Sequence, residues 1–346
     1  MKSISQLKCL IVGVGSIGRR HLRNLRSLGV QEFILHRRAG YDANDTELAG
    51  AIVETDLATA LAHQPDVAIV ANPTSLHLAT ALACVQAGCH LFLEKPISHT
   101  LHGCEALLRE VNARQVTAMV GFQFRFHPGL MRVRELLSEN AIGAVVSVQA
   151  HWGEYLPAWH PWEDHRQSYS ARADLGGGVA LTLCHPFDYL RWLLGEVQEV
   201  SAMTGQRGGL GIETEDTLDA QLLFASGALA QVHLDYVQRP PHHTLQLIGQ
   251  QGTLHWDNET GAVRLFTAQH GAWQEFAAPP QFERNTMFVE EMRHFLHCLT
   301  TGQTPCCTLA DGLAALRLAV LAKDAATQKR TLRKAIAAAQ GKGRNV

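Results

Sequence analysis

Several features that would indicate a membrane or nucleic-acid protein are missing from this sequence. No apolar run approaches the roughly 20 residues that are needed to cross a bilayer. The formal net charge is -2 over 346 residues, so there is no basic field to attract nucleic acid. The N-terminal segment has neither the apolar core nor the cleavage site of a secretory signal. These absences predict a cytoplasmic protein that binds neither membrane nor nucleic acid.

Metal-binding patterns are also missing. The 8 cysteines contain no C-x-x-C pair, and several lie in apolar stretches where a thiol packs as a small hydrophobic group. The 19 histidines contain no H-E-x-x-H motif, and pairs such as His160/His165 and His242/His243 lack helical ligand spacing beside an acid. We therefore predict a reduced protein without a metal, and keep a metal enzyme as an alternative.

A glycine-rich turn stands between the first predicted strand and the first predicted helix. Apolar residues 7–12 lead into Gly13-Val14-Gly15-Ser16-Ile17-Gly18, and helical spacing follows. In such a turn the first glycine permits the bend, the second lets the backbone approach a pyrophosphate, and the third lets the helix pack closely. The N–H groups at the helix start then face the phosphates. The turn predicts a dinucleotide site; a glycine turn in another α/β protein is the alternative.

Two arginines follow the second predicted strand, residues 32–36. Sites specific for NAD usually place an acid here to hold the ribose diol, but the chain reads Arg37-Arg38. A guanidinium group matches the oxygens of a 2′-phosphate. We therefore favour NADP as the cofactor, and the alternative is NAD with a solvated basic turn.

Two further strand ends are polar. Residues 72–77 follow one apolar strand, and Glu94-Lys95-Pro96 follows the next. Ligands of parallel sheets lie just past the carboxyl ends of the strands, so both segments are expected beside the cofactor. A lysine at the end of a buried strand is costly unless it is paired or its pKa is lowered. The bond before Pro96 is a candidate for the cis form. An ordinary strand end with a solvated lysine is the alternative.

The second half of the chain has a different sequence pattern. A long polar and aromatic loop covers residues 155–169, where Trp and Tyr can stack on sugar rings. Three glycines, 176–178, permit a close backbone approach, and His185 and Asp188 follow with the spacing of one helical turn. A histidine oriented by a carboxylate is a candidate general acid or base. A packed loop and a buried structural histidine are the alternatives.

Period-two alternation from about residue 217 predicts a mostly antiparallel sheet. One set of side chains, including Asp219, His233 and Asp235, alternates with apolar residues that face a core. The polar face is either solvated or a contact between subunits. Together with the strand–helix alternation of the first 120 residues, this pattern predicts an α/β fold with two domains.

These motifs together resemble the glucose–fructose oxidoreductase/inositol dehydrogenase (Gfo/Idh/MocA) family over nearly the whole chain. The resemblance rests on the glycine turn, Glu94-Lys95-Pro96, the three glycines and His185-x-x-Asp188. It implies a doubly wound parallel Rossmann sheet in residues 1–122, and an α+β domain with an open sheet in residues 123–346, whose last helix can pack back on the first domain. The open sheet commonly packs in homodimers or homotetramers.

The resemblance also implies an activity and its residues. Family members mostly oxidise or reduce one carbon of a sugar, cyclitol or nucleotide sugar with NAD or NADP. Lys95 is then the lysine of the catalytic site and His185 the acid/base. Residues on the substrate side would be Arg125, Trp159, His160, Arg166 and Tyr169. With the motifs above, the cofactor-lining set becomes Gly13, Gly15, Ser16, Ile17, Gly18, Arg37, Arg38, Asn72, Pro73, Thr74, His77, Glu94, Lys95 and Gln123.

One departure affects the proton relay. Many family members carry an acid four residues before the histidine, where this chain has Leu181 followed by Thr182. Either Asp188 then orients His185, or no acid does. The predicted reaction is hydride transfer at a sugar secondary alcohol, with a glycosidase that retains its NAD and a non-catalytic NADP sensor as alternatives.

Overall fold

The computed structural model describes residues 2–38 and 45–342, with the backbone alone for residues 327–342. The Cα positions divide the chain into two compact units. The first unit comprises residues 1–127, 174–176 and 281–316, and the second comprises residues 128–173, 177–280 and 317–346. Sequence positions 122/123 remain our proposed limit of the nucleotide-binding sequence.

The α-helices alternate with strands early in the chain and close it at the end. They are Ser16–Ser27 (α1), Leu57–Ala62 (α2), His77–Gln86 (α3), Cys104–Arg114 (α4), Pro128–Ser138 (α5), Val179–Thr182 (α6), His185–Leu194 (α7), Arg284–Thr301 (α8) and Leu309–Lys342 (α9). Within the described ranges, no helix is both long and apolar enough to cross a membrane.

The first unit contains a six-stranded sheet in which all neighbours are parallel. Its strands are Lys8–Val12 (β1), Glu32–His36 (β2), Ile52–Glu54 (β3), Val67–Val70 (β4), His90–Glu94 (β5) and Ala118–Gly121 (β6). The order β3-β2-β1-β4-β5-β6 is that of a doubly wound dinucleotide-binding sheet. This confirms the fold class predicted for the N-terminal half.

The core of the first unit draws on residues that are far apart in the sequence. Strands β4 and β5 are almost wholly buried because helices cover both faces of a parallel sheet. Helix α8 contributes Met292, Phe295 and Leu296 to the same core. The rings of Phe295 and Phe92 meet edge to face with centroids 5.5 Å apart, so α8 completes the nucleotide-binding unit.

The second unit contains an eight-stranded, mostly antiparallel sheet. Its strands are Val145–Gly153 (β7), Val197–Gly205 (β8), Thr217–Phe224 (β9), Leu229–Asp235 (β10), His242–Gly249 (β11), Gly252–Asp257 (β12), Val263–Thr267 (β13) and Trp273–Phe276 (β14). The order is β14-β13-β12-β11-β7-β10-β9-β8. Among the described strands of this sheet, only the pair β7–β10 is parallel. This confirms the predicted open sheet.

The two faces of the second sheet differ as the alternation predicts. Along β10, Ala230, Val232 and Leu234 are buried, whereas Leu229 is 59% exposed. One member of the polar set departs from the pattern: Asp235 is buried although it shares the face of His233. Its carboxylate lies under the β7 strand end, in space that Gly153 leaves open.

Candidate active site

The glycine turn after β1 is shaped by close approaches of backbone. Gly13 has a φ of +94°, and a Cβ there would lie 2.6 Å from the carbonyl oxygen of Ala71. A Cβ on Gly18 would lie 1.9 Å from the carbonyl oxygen of Gly13. By contrast, a Cβ on Gly15 would meet nothing within 4 Å. Gly13 and Gly18 are therefore required by the fold, whereas Gly15 borders open space at the start of α1.

That open space suits a pyrophosphate. The N–H of Arg19 donates to the carbonyl oxygen of Gly15, so the N–H groups of residues 16–18 come before the first N–H that bonds within the helix. Such N–H groups and the helix dipole favour an anion. The turn therefore fits the dinucleotide predicted from the sequence.

The loops after β4 and β5 are joined by one buried histidine. Nδ1 of His77 lies 2.7 Å from the carbonyl oxygen of Pro96, and Nε2 lies 2.8 Å from that of Asn72. Burial lowers the pKa of His77, although hydrogen bonds to both carbonyl groups favour the charged ring. The Lys95–Pro96 peptide bond is cis. The ring of His77 thus fixes the spacing of two predicted cofactor-lining loops, and its own contact with the cofactor stays a prediction.

Glu94 is held as a buried carboxylate beside the predicted catalytic lysine. Its Oε1 lies 2.7 Å from Nε2 of His21, and its Oε2 accepts the backbone N–H of Lys95 at 3.3 Å. Burial by itself raises the pKa of Glu94. The hydrogen bond from His21 and nearby positive charge outweigh burial, so the pKa lies below its usual value. Lys95 is half-buried, and it follows the strand that carries this negative charge.

The region expected to choose between NAD and NADP lies just beyond β2. Arg37 is half-buried, Arg38 is exposed, and residues 39–44 lie outside the described part of the chain. Asp45 pairs with Arg19, and the hydrogen bond from Arg19, helped by the charge of Arg37, lowers the pKa of Asp45. Acidic and basic side chains therefore meet here, and the acid was missed because it stands nine residues past the strand.

The first of the three glycines approaches the loop after β4. A Cβ on Gly176 would lie 2.7 Å from Cβ of His99 and 3.1 Å from Cβ of Thr74. This confirms that the glycine run permits a close approach. Thr74 and Gln123, both predicted to line the cofactor, are buried at 3% and 6% exposure.

The predicted acid/base lies in the second unit at the first residue of α7. His185 is 1% exposed, and its ring centroid lies 5.4 Å from that of Trp152. Trp152 stacks in turn on His243 at 4.4 Å, and Tyr189 Oη lies 3.3 Å from Nε2 of His243. Asp188 is also buried, one turn along the same helix. An aromatic stack therefore fixes one side of His185, and orientation by Asp188 stays a prediction.

The residues predicted for the substrate side have separate surroundings. Arg125, in the first unit, donates to the carbonyl of Cys306 and lies 3.7 Å from the carboxylate of Asp311. In the second unit, Trp159 packs edge to face on Tyr236, with centroids 5.6 Å apart. The remaining three, His160, Arg166 and Tyr169, lie in the loop, where Arg166 pairs with Asp164 and Tyr169 is 41% exposed. Their contact with substrate stays a prediction.

A second group of polar residues was not identified from the sequence. On the polar face of the second sheet, His151, His233 and Asp235 have potential ligand atoms within 4.8 Å of one another. Hydrogen bonds to Asp235 and Asp219 raise the pKa of His233 to about 9, although burial opposes the shift. These residues come from different strands, so strand register was the missing signal.

Both halves of the chain match models of known protein families. Residues 7–122 match the family model described as an oxidoreductase family with an NAD-binding Rossmann fold. Residues 130–255 match the GFO/IDH/MocA C-terminal domain. The two matches confirm the resemblance drawn from the motifs.

Similar proteins include named dehydrogenases. Myo-inositol 2-dehydrogenase of Thermotoga maritima is 26% identical, over 93% of this chain and 97% of its own length. Inositol 2-dehydrogenase of Acidothermus cellulolyticus is 28% identical, over 96% of this chain and 94% of its own length. A solved structure of levoglucosan dehydrogenase with NADH aligns with a TM-score of 0.84 at 18% identity, over 93% of this chain and 97% of its own. At that identity the likeness establishes the fold.

Proposed function

Because the chain belongs to the GFO/IDH/MocA oxidoreductase family, we propose that it transfers a hydride between a nicotinamide dinucleotide and a secondary alcohol carbon of a sugar or cyclitol. The observation that carries this proposal is the edge of the first sheet. There the glycine turn after β1 leaves open space for a pyrophosphate, and Lys95 follows β5, which is separated from β1 by β4 alone. The names of the inositol and levoglucosan dehydrogenases support the substrate class.

The nicotinamide, when bound, supplies the acceptor or donor of the hydride. The protein supplies position and charge. The N–H groups at the start of α1 hold the pyrophosphate, and His77 keeps the two strand-end loops at a fixed spacing. Lys95 stabilises negative charge that develops on the substrate oxygen, and His185 takes the hydroxyl proton. Glu94 keeps its negative charge beside Lys95.

The experiment is a comparison of two lysine variants in the first unit. Substrates are first sought in a panel that includes myo-inositol and levoglucosan, with NAD and with NADP. Lys95→Ala is then expected to lower kcat by about 10²- to 10³-fold, the usual effect of removing one group that stabilises developing negative charge. The Kd for the reduced cofactor should hardly change. Lys8→Ala removes a lysine at the opposite end of the strands and should leave kcat intact. Near-normal turnover of Lys95→Ala would exclude the proposed role.

We also propose NADP as the preferred cofactor, on the basis of Arg37 and Arg38. Titration of nicotinamide fluorescence with NADPH and NADH measures the preference directly. Arg38 is exposed, so Arg38→Ala should leave the fold unchanged and weaken NADPH alone. Tighter binding of NADH by the unchanged protein would mean that both arginines belong to a solvated turn and do not bind a 2′-phosphate. Asp45 would then be the candidate partner of the ribose.

The assembly and location are further parts of the proposal. The 8 cysteines, all in the described residues, form no disulfide, which is consistent with a reduced cytoplasmic protein. Exposed Leu229 and Ile248 lie on the outer face of the second sheet and support its use in a homodimer or homotetramer. Light scattering should detect the assembly, and Leu229→Lys should weaken it.

A further inference from the structure

Strand register brings histidines from three strands together on the outer face of the second sheet. His233 of β10 lies directly beside His151 of β7, and His242 of β11 lies beside Gly153 of β7. The ring centroids of His151 and His233 are 4.6 Å apart, and those of His151 and His242 are 4.8 Å apart. Two of these histidines, His151 and His233, also lie beside the carboxylate of Asp235, and imidazole and carboxylate groups are common metal ligands.

The carboxylate of Asp235 is fixed with one oxygen toward these rings. Its Oδ1 accepts the backbone N–H groups of Val237 and Gln238, at 2.7 and 2.6 Å. Its Oδ2 lies 3.1 Å from Nε2 of His233 and 4.0 Å from Nε2 of His151. A Cβ on Gly153 would lie 2.2 Å from Oδ2, so the glycine makes room for this oxygen. The ligand oxygen is therefore placed before any ion arrives.

The imidazole of His233 is oriented in the same way. Its Nδ1 lies 2.8 Å from Oδ1 of Asp219, so it donates to that carboxylate. Its Nε2 donates to Oδ2 of Asp235 at 3.1 Å, and a metal ion that binds this nitrogen displaces that proton. A histidine whose second nitrogen donates to a carboxylate is the usual arrangement around protein-bound zinc, because the carboxylate fixes the ring and raises its basicity.

One nitrogen in the cluster lacks a hydrogen-bond partner among the described residues. Nε2 of His151 is shielded from solvent and faces Oδ2 of Asp235 across 4.0 Å. A buried polar atom without a partner is costly, and a metal ion would satisfy it. The His151 side chain as a whole is 37% exposed, so it can turn to adjust its distance.

We propose that His151, His233 and Asp235 bind a divalent transition-metal ion of the zinc class. His242 packs against the ring of His151, and Asp219 orients His233. Two imidazoles and a carboxylate suit zinc, nickel or cobalt, whereas magnesium and calcium prefer oxygen ligands alone. Ligand atoms at about 2.0–2.2 Å from zinc lie about 3.3–3.5 Å apart in a tetrahedron, so the present spacing must close by less than about 1.5 Å.

This site is structural and separate from the proposed acid/base. Successive residues of a strand point to opposite faces, so His151 and Trp152 diverge. Trp152 packs against His185, while His151 lies on the outer face. An ion there would tie β7 to β10 and would have no part in hydride transfer.

Metal binding is tested on the full, tag-free chain after treatment with a chelator. Calorimetric titration with ZnCl₂ should show one ion per chain, and MgCl₂ should show none. His151→Gln and His233→Gln should each weaken zinc by more than about 100-fold, beyond the about 10- to 100-fold expected of the orienting variant Asp219→Asn. The matched control is His255→Gln, a histidine on the same face outside the cluster, which should leave the affinity unchanged.

Cobalt absorption and melting temperature guard against a misfolded variant. Bound Co²⁺ should give visible bands of a four-coordinate site in the unchanged protein, and zinc should raise its melting temperature. Both effects should vanish in His151→Gln. The substitution should not disturb the fold, because Nε2 of His151 makes no hydrogen bond to another described residue. Zinc uptake that is weak, not stoichiometric or equal in all variants would mean an adventitious ion only and would overturn the proposal.

Discussion

The two sheets place their polar groups in different ways. In the first sheet both faces are buried, and polar side chains collect at one edge, in the loops that follow β1, β4 and β5. In the second sheet one face is buried, and polar side chains lie across the middle of the other. At the edge, backbone turns and one bridging histidine hold the site together. On the open face, strand register and pairs of side chains do so.

The environments of two histidines show the consequence. In the first unit, burial lowers the pKa of His127 to about 4. In the second unit, hydrogen bonds to Asp235 and Asp219 raise the pKa of His233 to about 9. Burial therefore disfavours the charged ring of His127, whereas two carboxylates favour the charged ring of His233.

The largest effect on stability should come from the glycine turn of the first sheet. Gly18→Ala places a Cβ 1.9 Å from the carbonyl oxygen of Gly13 and should lower the free energy of unfolding by more than about 3 kcal/mol, the upper range for overpacking. Gly15→Ala meets nothing and should stay within about 0.5 kcal/mol. Denaturant unfolding of the cofactor-free protein measures both.

The same two variants separate fold from cofactor binding. If Gly15 borders the pyrophosphate, Gly15→Ala should weaken NADPH or NADH at least about tenfold while its unfolding curve stays normal. Normal cofactor binding by Gly15→Ala would contradict the proposed position of the pyrophosphate at this turn. A stable Gly18→Ala protein would show that the backbone of the glycine turn can shift to accommodate a Cβ at residue 18.

A second test compares a carboxylate beside a histidine in each sheet. Glu94→Gln removes a charge from a buried pair with His21 and should cost about 3 kcal/mol. Asp219→Asn makes the equivalent change beside His233, where the carboxylate is 42% exposed, and should cost less than about 1 kcal/mol. Both are measured without metal or cofactor. Equal costs would contradict the contrast between a closed edge and an open face.

The stability of the first unit should also depend on pH. The pKa of His127 is about 4 in the folded protein and about 6.5 in the unfolded chain, so the unfolded chain binds more protons between these values. Stability is therefore full above pH 6.5 and falls with pH toward 4, by up to about 3 kcal/mol from this group. Unfolding of His127→Gln at pH 7 and pH 4.5 should show a smaller difference than the unchanged protein.

The control for the pH experiment is His270→Gln, which alters an exposed histidine. It should keep the pH dependence of the unchanged protein, because an exposed side chain stays in contact with water when the chain folds. If His127→Gln behaves like this control, the buried ring of His127 contributes nothing to acid sensitivity.

The sequence predicts the edge of the first sheet well because its groups are contiguous. The glycine turn and Glu94-Lys95-Pro96 each lie within six residues, and parallel strands bring such segments together. The pairing of Glu94 with His21 could not be foreseen, since 73 residues separate them. Strand β8 was missed because its burial hardly alternates, and β14 because it is an exposed edge strand.

The histidine cluster shows the limit of reading motifs. Alternation placed His233 and Asp235 on one face, but it could not align them with His151 on a strand some 80 residues earlier. Register depends on the whole sheet, including its one parallel pair. A cluster that is assembled across strands leaves no local spacing to find.

The place of α8 in the first unit bears on how the protein is made. Met292, Phe295 and Leu296 complete a core whose strands have all been synthesised by residue 121. At about 5–20 residues per second, a ribosome needs roughly 9–35 s to reach the core residues of α8. During that interval the growing chain exposes Phe92 and its neighbours. The nascent nucleotide-binding unit is therefore a natural client for chaperones, and a gene truncated after β6 should yield an aggregating fragment rather than a small binding domain.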